Sequence, residues 1–247
     1  MMKEPTMSEE NAFCTEQTCT NAGPSQQAEA TEGRRSPAAL SIDVVSDVIC
    51  PWCYIGKRRL EKALSLLERP ATVQVIWRPF QLNPQMPAQG IERRAYRTAK
   101  FGSWERSLAL DAKVAEAGKG EEIDFAFDKM SRTPNTLDAH RLIWLAQKFD
   151  VQDAAVEMLF RANFEDGLDL NDRSTVLALA VKSGITTPDA ERLLAGDEGR
   201  VEVLDEEARY KSLGVNGVPS FFFNDRIAFS GAVAASLLAD AIRQALE

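Results

Sequence analysis

The chain has 247 residues, 45% of them hydrophobic and 27% charged, with a formal net charge of −8. That composition suits a soluble globular protein of one large or two small domains. The acidic balance excludes nucleic acid or an anionic membrane surface as main partner, and no apolar run approaches the roughly 20 residues that span a bilayer.

Residues 1–37 carry six Glu, one Lys and two Arg. A secretory leader needs a basic start and an apolar core; this segment has neither, so the expected compartment is the cytoplasm, where a permanent structural disulfide is not expected. Residues 1–38 read as a disordered tail, polar and without apolar periodicity. Cys14 and Cys19 lie in it. Nothing around them builds a positive site, so they read as ordinary thiols; the alternative is a flexible dithiol arm relaying electrons to another pair.

Order is expected from Leu40. Leu40–Ser46 is apolar and β-branched and reads as a buried strand. After Cys50-Pro51-Trp52-Cys53 an amphipathic helix runs to about Leu67, with Pro51 in the first turn, where its missing N–H costs nothing. Val73–Trp77 is a second strand, and Pro79, Pro84 and Pro87 break the chain after it. Glu92 to Gly118 holds one or two helices, interrupted near Gly102. Asn135 reads as a helix N-cap with Asp138 as its capping-box acid, and that helix runs through His140 to Phe149. Further helices are expected over Val151–Phe164, from Asp172 to Lys182 with Gly184 as stop, from Thr187-Pro188, and over Gly199–Leu213. Val218–Phe223 reads as a strand with a buried Phe221-Phe222-Phe223, followed by a turn at Asn224-Asp225, a strand over Arg226–Ser230 and a helix over Ala234–Leu246. A β-α-β unit, helices and a β-β-α unit make an α/β, thioredoxin-like fold with an all-helical domain inserted between the second and third strands. The expected boundaries are 39–88 and 205–247 for the thioredoxin-like part and 89–204 for the insertion.

Two cysteines separated by two residues, where a strand gives way to a helix, form the signature of a dithiol redox site. A helix start offers free N–H groups and the positive end of its dipole. A thiolate there is stabilised below the free-thiol pKa of roughly 8.5. Cys50 is therefore the candidate nucleophile, with an exposed sulfur. Cys53, on the same helix face, is the candidate resolving thiol. Pro51 and Trp52 read as tuning the pair by setting how stable its reduced form is, or as plain helix initiation and packing; both readings can hold together. No metal is expected: His140 is the only histidine, and Cys14 and Cys19 lack zinc spacing relative to Cys50 and Cys53.

Ser46 to Lys57 resembles the DsbA-like thioredoxin family, and within it the FrnE-like branch. Trp77 to Pro84, Pro134-Asn135-Thr136 with Ala139 to Leu142, and Gly217 to Phe221 are similar to the same branch, so the resemblance covers about Leu40 to Glu247. It implies a thiol–disulfide oxidoreductase or isomerase acting through a mixed disulfide. The clients implied are disulfide-bearing proteins or small thiols and disulfides; no cofactor is bound, and glutathione is a candidate redox partner. It also implies a cis bond at Pro219, opposite the dithiol, with Val218 and Pro219 binding an extended substrate segment. Related isomerases and kappa-class glutathione transferases usually carry serine in place of the first cysteine and use glutathione. A glutathione-dependent isomerase or transferase of a small aromatic substrate is thus the alternative function, and a non-catalytic peptide-binding or chaperone-like scaffold is a second.

Asp47 reads either as a proton shuttle for Cys53 or as a strand-end acid. His140 reads as a satisfied core residue rather than a catalytic one. Arg78 and Arg141 read as surface cations, with a carboxylate-binding role in the cleft as the alternative. Oligomeric state leaves no mark in the sequence.

Overall fold

Leu40–Ser46 forms strand β1, and its side chains alternate between the two faces of a sheet. Leu40, Ile42 and Val44 enter the main hydrophobic core, while Val45 packs with Phe80, Tyr210, Val215 and Phe222 in a separate cluster. The computed structural model describes residues 40–67 and 73–247; the whole of the expected tail, with Cys14 and Cys19, lies outside the described residues.

Helix α1 spans Pro51–Ser65 and strand β2 Val73–Pro79. β2 lies parallel to β1, with Val44 opposite Trp77. At the other end of the chain β5 (Ser220–Phe223) runs antiparallel to β1, with Val44 opposite Phe221. β6 (Arg226–Ser230) completes the order β2-β1-β5-β6. Helix α9 (Ala235–Leu246) packs on α1 and on β1.

Between β2 and β5 the described residues hold seven helices: α2 (Arg93–Phe101), α3 (Trp104–Lys119), α4 (Leu137–Lys148), α5 (Gln152–Phe164), α6 (Arg173–Ser183), α7 (Thr187–Ala195) and α8 (Arg200–Ser212). The segment is not wholly helical. Ile91–Glu92 (β3) and Arg132–Thr133 (β4) pair as a short antiparallel ribbon, a feature too brief to leave an alternating pattern in sequence. The described residues all belong to one compact unit, and α5 and α8 both pack on β2.

Local chemistry sets most helix ends. The Ser103 hydroxyl accepts from Arg106 N–H and the Asp172 carboxylate from Ser174 N–H, each satisfying an orphan donor. Gly184 closes α6 at φ 106°, a left-handed conformation suited to glycine. The N-cap of α4 differs from expectation. It is Thr136, and the Asn135 Oδ1 accepts from Leu137 N–H from one residue further out. Asn135 is drawn outward because its Nδ2 donates to the Met86 carbonyl. Asp138 pairs with Arg141 instead of closing a capping box.

Burial of polar groups ties the helices to the sheet. Lys57, with a side chain 2% exposed, pairs with Glu61, Asp153 and Glu157. Burial alone pulls its ammonium pKa down, yet these carboxylates outweigh burial and raise it. Trp77 Nε1–H donates to Asp153 Oδ1 at 3.0 Å, and Tyr54 stacks on Phe160 at 5.1 Å, so α1, β2 and α5 meet in one knot. On the opposite face the buried Asp43 accepts from Arg78 Nε (2.8 Å) and from the Tyr210 hydroxyl (2.8 Å). Arg78 also pairs with Glu206. Arg141 is buried as well, its guanidinium donating to the carbonyls of Glu198, Leu193 and Gly196. Both arginines are thus structural staples, correcting the surface reading; for Arg141, carbonyls at the end of α7 and in the turn before α8 supply acceptors that no sequence pattern announces.

Tyr210→Phe removes a buried donor from Asp43 while sparing the ring's packing on Phe222. The expected cost is about 1–2 kcal/mol of stability, read from the urea unfolding midpoint at unchanged slope. An unshifted midpoint would show that Arg78 alone satisfies Asp43.

Candidate active site

β1 ends at Ser46, and the chain turns through Asp47, Val48 and Ile49 into α1. The turn is closed by Cys50 N–H donating to the Asp47 carbonyl at 2.9 Å, and Cys53 N–H donates to the Cys50 carbonyl at 2.9 Å. Cys50 is the N-cap of α1, in extended conformation, and its side chain makes no capping bond to the helix. The positive end of the helix dipole is therefore left facing whatever charge the Cys50 sulfur carries.

That sulfur is not exposed, contrary to expectation. Cys50 is 5% exposed and Cys53 fully buried. The loop before β5 is the reason: Cys50 Sγ lies 3.6 Å from the Val218 carbonyl and donates to it. The Val218–Pro219 bond is cis. Both residues precede β5, which starts at Ser220 and not at Val218. One turn into α1, Gly56 permits the approach: a Cβ there would lie 3.0 Å from Pro219 Cγ and 3.5 Å from Phe221 Cζ. A glycine inside a helix costs about 1 kcal/mol relative to alanine, and here it clears space for the loop.

Cys50 and Cys53 are both free thiols and are brought together. Burial pushes the Cys53 thiol pKa well up. Its hydrogen bond to Cys50 and the charge on that sulfur push the same way, while the Ser46 hydroxyl and the Asp47 backbone N–H pull it down only in part. Cys53 is thus held as a neutral thiol.

Of the other anticipated residues, Trp52 is 40% exposed on the outer side of the turn, and Pro51 occupies the first helical position. Asp47 is fully buried, but its carboxylate accepts from Leu82 N–H (2.7 Å) and Ile49 N–H (3.4 Å). It is the backbone N–H of Asp47 that reaches the Cys53 sulfur. His140 is buried beside it, with Nε2 3.4 Å from Asp47 Oδ1. That separation lacks hydrogen-bond geometry, leaving Nε2 without a hydrogen-bond partner among the described residues. The core reading of His140 holds for its burial and fails for its satisfaction. Sequence reasoning missed Ser46 and Gly56. A glycine in the middle of an amphipathic helix was a readable signal; a serine closing a strand was not.

The family model for the DSBA-like thioredoxin domain matches residues 41–243. The chain belongs to that family. Within the DSBA-like family, a probable DsbA oxidoreductase from Streptomyces coelicolor is 31% identical, with a TM-score of 0.77 over 83% of this chain and 89% of that one. The uncharacterised protein YwbO of Bacillus subtilis is 25% identical over 192 residues, covering 76% of this chain and 88% of its own. The cytosolic disulfide reductase DsbM of Pseudomonas aeruginosa shares the fold at 19% identity, with a TM-score of 0.57 over 83% of this chain and 95% of that one. These neighbours agree with the FrnE-like branch. Among the described residues no helix is long and apolar enough to cross a membrane.

The two sulfurs should alkylate very differently. In reduced protein lacking Cys14 and Cys19, one equivalent of iodoacetamide at pH 8 is expected at Cys50, with Cys53 labelled only after denaturation. Peptide mass mapping checks this, and equal labelling of the folded chain would contradict the burial argument.

Proposed function

We propose that the protein is a thiol–disulfide oxidoreductase or isomerase whose working pair is Cys50 and Cys53. The observation that carries this reading is the placement of Cys50 Sγ, at the N-cap of α1 and 3.6 Å from the Val218 carbonyl. A substrate strand lying along Val218–Pro219 would bring its own sulfur to that point. The Cys50 thiolate attacks one sulfur of the substrate disulfide, and the other leaves as a thiol. Cys53 then gives up its proton and attacks Cys50 Sγ, releasing the second substrate thiol and closing the 50–53 disulfide. Two electrons leave the protein, and the reverse sequence oxidises a dithiol.

A buried Cys53 with a raised pKa keeps the mixed disulfide from being resolved by a standing thiolate, which gives a client time to rearrange. In a reducing cytoplasm, reduction or isomerisation is the favoured direction. Glutathione is the proposed small-molecule partner; DsbM has been solved with GSH, which supports it by analogy of fold. Pro51 and Trp52 set the potential in this reading, and Asp47 acts on Cys53 through its backbone N–H more directly than through its carboxylate. Cys14 and Cys19 play no necessary part.

Equilibration in graded glutathione buffers, with thiols trapped by an alkylating mass tag, tests the proposal. The expected result is one cooperative two-electron transition that consumes Cys50 and Cys53 together, persists without Cys14 and Cys19, and vanishes in either Cys50→Ser or Cys53→Ser. Independent titration of the two thiols, or no 50–53 disulfide at any ratio, would overturn it.

A further inference from the structure

Behind the dithiol turn a buried carboxylate meets a buried imidazole. Asp47 belongs to that turn and His140 to the first turn of α4. Their side chains are 0% and 2% exposed, and His140 Nε2 lies 3.4 Å from Asp47 Oδ1. His140 is the only histidine in the chain, and the exchange chemistry described above uses neither side chain.

Neither group is fully satisfied. The Asp47 carboxylate takes two backbone donors, Leu82 N–H at 2.7 Å and Ile49 N–H at 3.4 Å. Both donors are neutral, so a negative charge there lacks a countercharge in hydrogen-bond contact, which is costly in an interior. The imidazole Nε2 has no hydrogen-bond partner among the described residues. One proton on Nε2 answers both deficits. It turns a long separation into a charge-assisted hydrogen bond and gives the carboxylate its countercharge.

The other charged groups around His140 are already paired. From β2, Arg78 lines the same small pocket as His140 and is held by Asp43 and by Glu206 of α8. On α4 itself Asp138 pairs with Arg141, whose other donors go to the carbonyls of Leu193, Gly196 and Glu198. α5 contributes the apolar Val156 to the pocket, and α6 and α7 bury the apolar Val176, Leu179 and Leu193. The start of α4 presents the positive end of its dipole to the imidazole, against the negative charge of Asp47.

The couple adjoins the sulfur that must lose a proton. Cys53 is fully buried, so solvent does not take that proton directly. The Asp47 backbone N–H reaches the Cys53 sulfur, and so does the hydroxyl of Ser46, a residue that lines the pocket of His140.

Resting on the dithiol reading above, we propose that His140 is a positioning residue of the resolving step, holding on Nε2, against Asp47, the proton that leaves Cys53. It acts on Cys53 through Asp47 and Ser46. The Cys53 S–H bond breaks and an Nε2–H bond forms. Cys53 Sγ then bonds to Cys50 Sγ as the bond from Cys50 to the client sulfur breaks. The client departs with the electron pair as a thiolate and is protonated by solvent. His140 afterwards returns the held proton to solvent, and no further oxidant or reductant enters. While it holds the proton, imidazolium and carboxylate cancel, so the Cys53 thiolate forms beside a neutral pair.

Rapid mixing of the reduced full chain with oxidised glutathione, quenched in acid and resolved by mass, separates the two steps. Adduct formation on Cys50 scales with glutathione concentration; conversion of the adduct to the 50–53 disulfide does not. In the unaltered chain conversion should change by less than about threefold from pH 7 to 9, whereas a thiol that depends on hydroxide quickens about tenfold per pH unit. His140→Gln fills the place and can donate to Asp47 but cannot take up a proton. It should slow conversion about a hundredfold at pH 7, bring in the rise of about tenfold per unit, and leave adduct formation within about twofold. A merely structural role would be met by glutamine. If circular dichroism shows that His140→Gln does not fold, the profile of the unaltered chain decides alone. A tenfold-per-unit profile in the unaltered chain, an unchanged profile in folded His140→Gln, or equal slowing of both steps would overturn the proposal and leave the dithiol reading standing. Absence of any 50–53 disulfide from the unaltered chain would overturn the dithiol reading, and this inference with it.

Discussion

The close approach of the first turns of α1 to the Val218–Pro219 loop is the constraint on which the rest of the site depends. It covers the Cys50 sulfur with a backbone carbonyl and is eased by a glycine at position 56, where a Cβ would press on Pro219. The dithiol lies at the C-terminal end of β1, where a parallel crossover delivers a helix N-terminus. The loop is delivered to the same point by β5, the antiparallel neighbour of β1. Two segments 168 residues apart in sequence thus share one contact, and the central strand serves both.

Burial is asymmetric between the two sulfurs. Cys50 keeps a sliver of exposure at the helix end, where a charge is welcome. Cys53 has none, and its environment favours the protonated thiol. In the proposed mechanism such an arrangement separates attack from resolution in time. Around it, charge is handled by pairing: Lys57 meets three carboxylates and Asp43 meets Arg78 and Tyr210. The couple of Asp47 and His140 departs from that pattern: the carboxylate is held by backbone N–H groups, and the imidazole Nε2 has no hydrogen-bond partner among the described residues.

Much of the fold was legible because local signals agreed with each other. The β-branched run of β1, Pro51 at the start of α1, Asp172 and Gly184 at the ends of α6, and the Asn224-Asp225 turn each have a mechanism that acts within a few residues. The β3–β4 ribbon was not legible, since two-residue strands carry no periodicity. Asn135 was read one residue inside its true position because its second partner, the Met86 carbonyl, lies 49 residues away. Arg141 and Arg78 read as surface charges because the groups that satisfy them come from α7, α8 and β1. At the site the cysteines were legible from spacing. The covering of Cys50 and the hydroxyl of Ser46 were not, because both depend on tertiary contact.

The central claim is that Cys50 alone makes the external bond and Cys53 alone breaks it. Exposure of the Cys53→Ser chain to oxidised glutathione, followed by peptide mapping, tests it most directly. The account expects one long-lived glutathione adduct, located on Cys50, while the unaltered chain passes on to the internal disulfide. Absence of the adduct on Cys50, or an equal adduct on Cys53 in the Cys50→Ser chain, would contradict it.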